Sequence, residues 1–368
     1  RVVTGVQTCA LPIYSGECFY RFSNADGKTW IMPARNMRVA MNLYQPSGRN
    51  GKLVKTLFPW LHEIPFVRKV IHAERLRCKL NDNLEQLLCR LFHEEEIEFS
   101  IFGGTPCVHQ KATIQLSKVH RILGYCKATG SNEIAALFRN EADLLKRLKR
   151  QGMDGVPQAL YCGELTESIF LFVQSTTKTQ QSKVPHEWGI LHEHFLNELQ
   201  RRTLREIEFE KSDYYRTLQN LLTHLDWLPQ FMNRVAVEKA IDNVINFYKG
   251  GKVDFSAYHA DFTPWNMFVE NGKLFVFDWE YASMTYPPML DRYHFFTQTA
   301  IFEKHWQGKE IIELLQSPDA NWINRESYIL YLLDIISRFT VREKGTVEGD
   351  IARSMKVWND LLVYLSYC

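Results

Sequence analysis

The chain predicts a two-lobed α+β fold: a small antiparallel β lobe with one helix, then a larger and mainly helical lobe, with an extra section before both. Three observations predict it. Strand-like runs crowd into residues 96–176, helical periodicity dominates from 177 onward, and the polar linker STTKTQQSK stands at the change. In order, FYRFSNADGKTWIMPA reads as strand, turn and strand around Asn24-Ala25-Asp26-Gly27, residues 45–52 as a Gly/Ser/Asn loop, and NLEQLLCRLF as a helix. EFSIFGG, CVHQKATIQLS and RILGYCKATG follow as strands. Asn132 then opens the helix NEIAALFRNEADLLKRLKRQG, which stops near Gly152, and PQALYCGEL and SIFLFVQS complete the small sheet. HEWGILHEHFLNELQRRT, SDYYRTLQNLLTHL and VAVEKAIDNVINFYKGG are helical, and three or four more helices finish the chain.

The 368 residues suit about two domains, and 45% hydrophobic with 13% aromatic residues suits a sizeable core. A net charge of +2 argues against a wholly nucleic-acid-binding protein. No apolar run reaches transmembrane length; YILYLLDII is broken by Asp334. The eight cysteines show no C-x-x-C or zinc spacing, so they read as buried thiols in a reduced, cytoplasmic setting. Residues 3–13, VTGVQTCALPI, resemble the in-frame translation of a sequencing-library adapter. Residues 1–13 are therefore set aside as an artefact, with Cys9 not native and the true N-terminus lost. Residues 14–95 form a basic N-terminal section: between 14 and 80 stand twelve Lys and Arg against four Asp and Glu. That excess reads either as a solvated face or as contact with an anionic partner such as a phosphorylated glycan, a nucleotide or a membrane surface.

The chemistry concentrates in residues 258–282, YHADFTPWNMFVENGKLFVFDWEYA. Asp261 and Asn266 lie five apart in a loop opened by His259. Asp278 follows after two β-rich segments joined by Asn271-Gly272, the strongest short hairpin signal. Folding that hairpin returns Asp278 to Asn266, so that a carboxylate and an amide oxygen can share Mg2+, with Asp261 beside them as a base. His259 is expected to order the loop by hydrogen bonding. A cation for phosphates should come from the β lobe: Lys127 at the end of a strand, paired with Glu141 on the following helix, with Lys118 and Lys111 as rivals nearer turns. Gly103-Gly104 could bring backbone amides to phosphate, although two adjacent glycines also mark an ordinary turn. Neither G-x-G-x-x-G nor G-x-x-x-x-G-K-[ST] is present.

From about residue 98 to the C-terminus these residues resemble the aminoglycoside phosphotransferase and choline kinase-like family, whose fold is protein-kinase-like. Its H-x-D-x-x-x-x-N loop matches His259, Asp261 and Asn266, and its metal-binding aspartate matches Asp278 in FDWE. The acidic residue that buttresses the catalytic loop matches Asp291, and the lysine and glutamate of the small lobe match Lys127 and Glu141. The resemblance implies a nucleotide-binding lobe at 96–176, with adenine near Gln174 and Thr176, and a helical lobe at 177–368 carrying the catalytic loop and acceptor site. It further implies ATP and Mg2+ as cofactors and a small-molecule hydroxyl as acceptor. Trp279-Glu280 replaces Phe-Gly, and the short run to Asp291 leaves no room for a phosphorylated activation loop. Beyond Tyr281 eleven Asp and Glu stand against nine Lys and Arg, too even to favour a polycationic acceptor, so a sugar or cell-envelope glycan component is preferred. The alternatives are an aminoglycoside or amino-alcohol kinase and a catalytically silent kinase-fold module that binds nucleotide.

Overall fold

The structure, a computed structural model, describes residues 13–46, 48–104 and 111–367. Cys9, the adapter-like run before Ile13 and residues 107–110 of the predicted CVHQKATIQLS strand lie outside the described residues. The chain forms two compact units. Unit 1 takes the described residues up to 147 together with 156–183 and 270–275; unit 2 takes 148–155, 184–269 and 276–367.

Unit 1 is built on one antiparallel sheet. Its opening hairpin joins β1 (Ile13–Ser23) to β2 (Thr29–Pro33). Asn24 Oδ1 accepts the Asp26 and Lys28 amides at 3.2 and 2.9 Å, and Gly27 takes a positive φ of 75°. Then come α1 (Met37–Ala40), α2 (Arg49–Leu61), α3 (Pro65–Val70), β3 (Glu74–Leu80) and α4 (Asp82–Phe92). The loop expected at 45–52 thus ends four residues early, because α2 begins at Arg49. After them run β4 (Glu98–Phe102), β5 (Ala112–Lys118), β6 (Arg121–Thr129), α5 (Asn132–Arg150), β7 (Ala159–Thr166) and β8 (Ile169–Ser175). The strand order is β3-β1-β2-β4-β5-β6-β8-β7. Residues 14–95 therefore extend the same sheet, through Trp30 opposite Phe102 and Ile31 opposite Ile101.

Strand alternation gives the sheet two buried faces. Phe19, Ile31 and Ile101 point to one side, with Leu84 and Leu88 of α4. Tyr20, Phe22, Trp30 and Met32 point to the other, with Met37, Met41 and Phe58 of the helical insert. Helix α5 begins at Asn132 as expected, but its cap is the residue before: Ser131 offers the carbonyl to Ala135 and the hydroxyl to Ile134. It ends at Gly152 (φ 75°), whose amide bonds the Lys149 carbonyl while Met153 bonds that of Leu148.

Unit 2 is mainly helical: α6 (Ile190–Thr203), α7 (Asp213–Thr223), α8 (Arg234–Tyr248), α9 (Leu290–Phe302), α10 (Gly308–Leu315), α11 (Arg325–Glu343) and α12 (Gly349–Tyr367). Its core is a continuous apolar cluster in which Tyr214, Leu218, Ile241, Tyr328, Leu333, Ile336 and Trp358 are all but fully buried. A small sheet sets β10 (Lys252–Tyr258) between β9 (Arg205–Glu208) and β13 (Ser283–Tyr286). The hairpin of β11 (Met267–Glu270) and β12 (Lys273–Val276) turns on Asn271 and Gly272 at φ 50° and 74°, as its two-residue turn requires. Among the described residues no helix is long and apolar enough to cross a membrane.

Candidate active site

Strand β10 ends at Tyr258, and the chain turns abruptly through Ala260, a non-glycine residue at φ 71°. Such a backbone is held only when its polar groups are captured, and here two helices capture them. Asp291, on the first turn of α9 and 2% exposed, accepts the His259 amide on Oδ2 at 2.8 Å and the Ala260 amide on Oδ1 at 3.0 Å. Arg338 of α11 donates to the Ala260 carbonyl at 2.5 Å and to Asp334 Oδ2 at 2.5 Å, and the Tyr258 hydroxyl donates to that same oxygen at 3.0 Å. Burial drives the Asp291 carboxyl up to about 7, opposed by the two amides and by Arg338.

His259 has its tautomer fixed by its partners. Nδ1 accepts the Asp261 amide at 3.1 Å, so the proton sits on Nε2 and is donated to the Phe277 carbonyl at 3.0 Å. Burial lowers its pKa to about 4, and it is neutral at physiological pH. The ring thus ties the loop to the segment that leads into Asp278. The Phe277 amide adds a second tie, to the Asn266 carbonyl at 2.9 Å. Asp278 therefore comes back beside the loop, half-buried and at φ 67°.

Asp261 is gripped from two sides. Asn266 Nδ2 donates to its Oδ2 at 2.7 Å and to its backbone carbonyl at 3.0 Å, while His294 Nε2 of α9 donates to Oδ1 at 3.2 Å. Its side chain remains 32% exposed, so a reactant can still reach it. Burial alone would raise its pKa, but the hydrogen bond from His294 opposes that, and the carboxylate is held below its ordinary value. Both Asn266 amide hydrogens face Asp261, so its Oδ1 is the atom turned away from that grip; it and the Asp278 carboxylate are hard oxygen donors, the chemistry that Mg2+ takes.

The remaining expected residues lie in unit 1. Lys127 on β6 places Nζ 2.6 Å from Glu141 Oε2 on α5, the two side chains being 6% and 0% exposed. Its rival Lys118 is 43% exposed and turned to Glu94, which Arg121 also meets. Gln174 lies buried in β8 opposite Tyr125, and Thr176 Oγ1 accepts the Lys178 amide at 3.1 Å just beyond that strand. Of the glycine pair, both residues are buried, and the Gly103 amide donates to the Thr29 carbonyl at 2.9 Å.

Sequence reasoning missed His294, Asp334 and Arg338. His294 carried a usable signal, standing one helical turn after Asp291 and hence on the same face. Asp334 and Arg338 are an i, i+4 pair inside an apolar helix, where a buried charge is costly unless it serves a partner.

No protein-family model matches the chain, and no curated protein sequence does. Solved structures of similar fold include the aminoglycoside phosphotransferase APH(4)-Ia, at 14% identity and a TM-score of 0.48 over 78% of this chain and 99% of that one. A choline kinase from Streptococcus pneumoniae aligns at 16% identity and TM-score 0.48, over 77% of this chain and 100% of its own. A putative fructosamine-3-kinase from Haemophilus somnus 129PT aligns at 12% and 0.45, over 76% and 96%.

Proposed function

We propose that the chain is a small-molecule kinase, moving the γ-phosphoryl group of ATP to a hydroxyl with Mg2+ as cofactor. The observation that carries the reading is the hold on Asp261, oriented by Asn266 on one oxygen and His294 on the other yet still accessible. A carboxylate so fixed and kept ionised is suited to aligning an alcohol and taking its proton. In the transfer the bond from the γ-phosphorus to the ADP oxygen breaks, a bond to the acceptor oxygen forms, and the acceptor proton passes to Asp261. Asn266 Oδ1 and Asp278 would hold Mg2+, which when bound neutralises charge on the phosphates. Lys127, kept in place by Glu141, would meet the α- and β-phosphates. Gln174 and Thr176 would lie near the adenine, and Asp291 and His259 would keep the loop in its strained path.

For the acceptor we favour a sugar or cell-envelope glycan hydroxyl, since the near balance of acidic and basic residues beyond Tyr281 offers no strong field for a polycation. The test is phosphate transfer from ATP across sugars, amino alcohols and aminoglycosides, with Asp261→Asn and Asp278→Ala. Loss of the positioned base is expected to lower kcat by about 10²–10⁴-fold. Undiminished turnover in either variant would refute the mechanism, and nucleotide binding without consumption on every acceptor would favour a silent module.

A further inference from the structure

The helical insert of unit 1 carries a second apolar face that nothing in its own core uses. In α2, Val54 and Phe58 turn inward against Tyr20 and Phe22, whereas Leu53, Leu57 and Trp60, at i, i+4 and i+7, are 58%, 43% and 67% exposed. The stripe continues through Ile64 at the corner to Phe66 and Val70 of α3, 73% and 61% exposed. Of the fourteen large apolar side chains exposed among the described residues, these six fall within one run of eighteen. Scattered exposed apolar residues are ordinary, but a contiguous cluster marks a surface that meets something.

The charge around the stripe says what it meets. Residues 27–62 contain no Asp or Glu, and the two helices together carry Arg49, Lys52, Lys55, Arg68 and Lys69 with no acidic residue in either. Glu63, in the corner between them, is engaged by the Tyr20 hydroxyl at 3.2 Å, and its carbonyl by Arg68. Arg38 lies over the Trp60 ring at 5.1 Å. A bulky aromatic and aliphatic stripe rimmed by five cations, with the exposed Glu63 the one acidic residue between the helices, matches the boundary of an anionic bilayer, where rings and methyls enter the headgroup region and the cations stay at the phosphates. An acidic protein partner would match the charge but not so large an exposed apolar stripe. We infer that α2 and α3 form a peripheral docking surface for anionic lipid membranes.

The test is flotation of the full chain with vesicles of phosphatidylcholine alone and of phosphatidylcholine mixed with phosphatidylglycerol. Binding is expected to the anionic vesicles and to weaken in high salt. Trp60→Ser with Phe66→Ser, both at exposed positions, should lower partitioning by about tenfold or more, and Lys52→Gln with Lys69→Gln by about fivefold per charge removed. Phe247→Ser, at an 80% exposed site in unit 2, should change nothing. Equal binding to both vesicle types, no binding to either, or an unchanged Trp60→Ser/Phe66→Ser variant would overturn the inference. So would a concentration-dependent dimer that the same double variant dissolves, which would make a second copy of the chain the occupant. None of these readings depends on phosphate transfer, so the surface and the kinase reading fail separately.

Discussion

Replacing Lys127 by methionine removes an ammonium that lies 2.6 Å from the Glu141 carboxylate, on a pair almost sealed from water. A carboxylate stranded at such depth costs about 3–5 kcal/mol, a large part of the ~5–15 kcal/mol by which ordinary proteins are stable. With a urea slope of about 2 kcal/mol per molar, the midpoint of the transition that involves unit 1 should fall by roughly 1.5–2.5 M. Glu141→Gln leaves an oxygen acceptor for the ammonium and should be milder. The informative variant combines Lys127→Met with Glu141→Leu. It fills the same space with apolar groups and should recover most of the lost stability, since exchanging a whole buried ion pair is often neutral. Phosphate transfer should nevertheless stay lost, because the cation proposed to meet the phosphates is gone. Urea unfolding and ATP consumption, measured on all four proteins, separate the two effects. A double variant no more stable than Lys127→Met would refute the ion-pair argument, and a fully active one would refute the role of the lysine.

Acid should weaken the loop at Ala260 through His259. The unfolded chain protonates this residue below about 6.5 whereas the native protein resists down to about 4, so stability falls as pH falls through that window, by roughly 3 kcal/mol at its end. His259→Gln should flatten the dependence of the urea midpoint on pH, and an unchanged slope would contradict the assignment. His294→Leu removes a donor to the Asp261 carboxylate and should lower kcat by about 10- to 100-fold with little change in KM; His294→Gln, which can restore an N–H there, should recover part of it, and equal loss in both would argue for a packing role. Gly272→Ala adds a methyl that meets nothing within 4 Å at φ 74°, so thermal unfolding should report the backbone penalty alone, about 1–2 kcal/mol.

What the sequence reveals here follows the range of the forces involved. The turn at Asn24–Gly27 and the hairpin at Asn271-Gly272 are legible because a few neighbouring residues dictate their backbone angles. Lys127 and Glu141 are legible because a strand, a turn and a helix in succession leave them few places to go. Helix α2 hides its nature: Pro59 interrupts it and apolar residues occupy two of its faces, so the periodicity blurs. The junction of β2 with β4 joins segments some seventy residues apart, and no local pattern records it. Arg338 reaches the loop at Ala260 across a similar gap, and only the packing of α11 reveals that contact.

The place of residues 14–95 in the sheet has a further consequence. One of the two margins of the sheet lies at β3, where Arg75, Arg77 and Lys79 alternate outward and charge discourages strands of other molecules from adding on. A chain beginning at residue 96 would move that margin to β4, whose central Phe99, Ser100 and Ile101 are buried and whose free amides and carbonyls would invite pairing with another copy. Residues 14–95 thus serve the second half of the sheet as a protective selvedge, and cutting them away should yield aggregates before it yields a smaller protein.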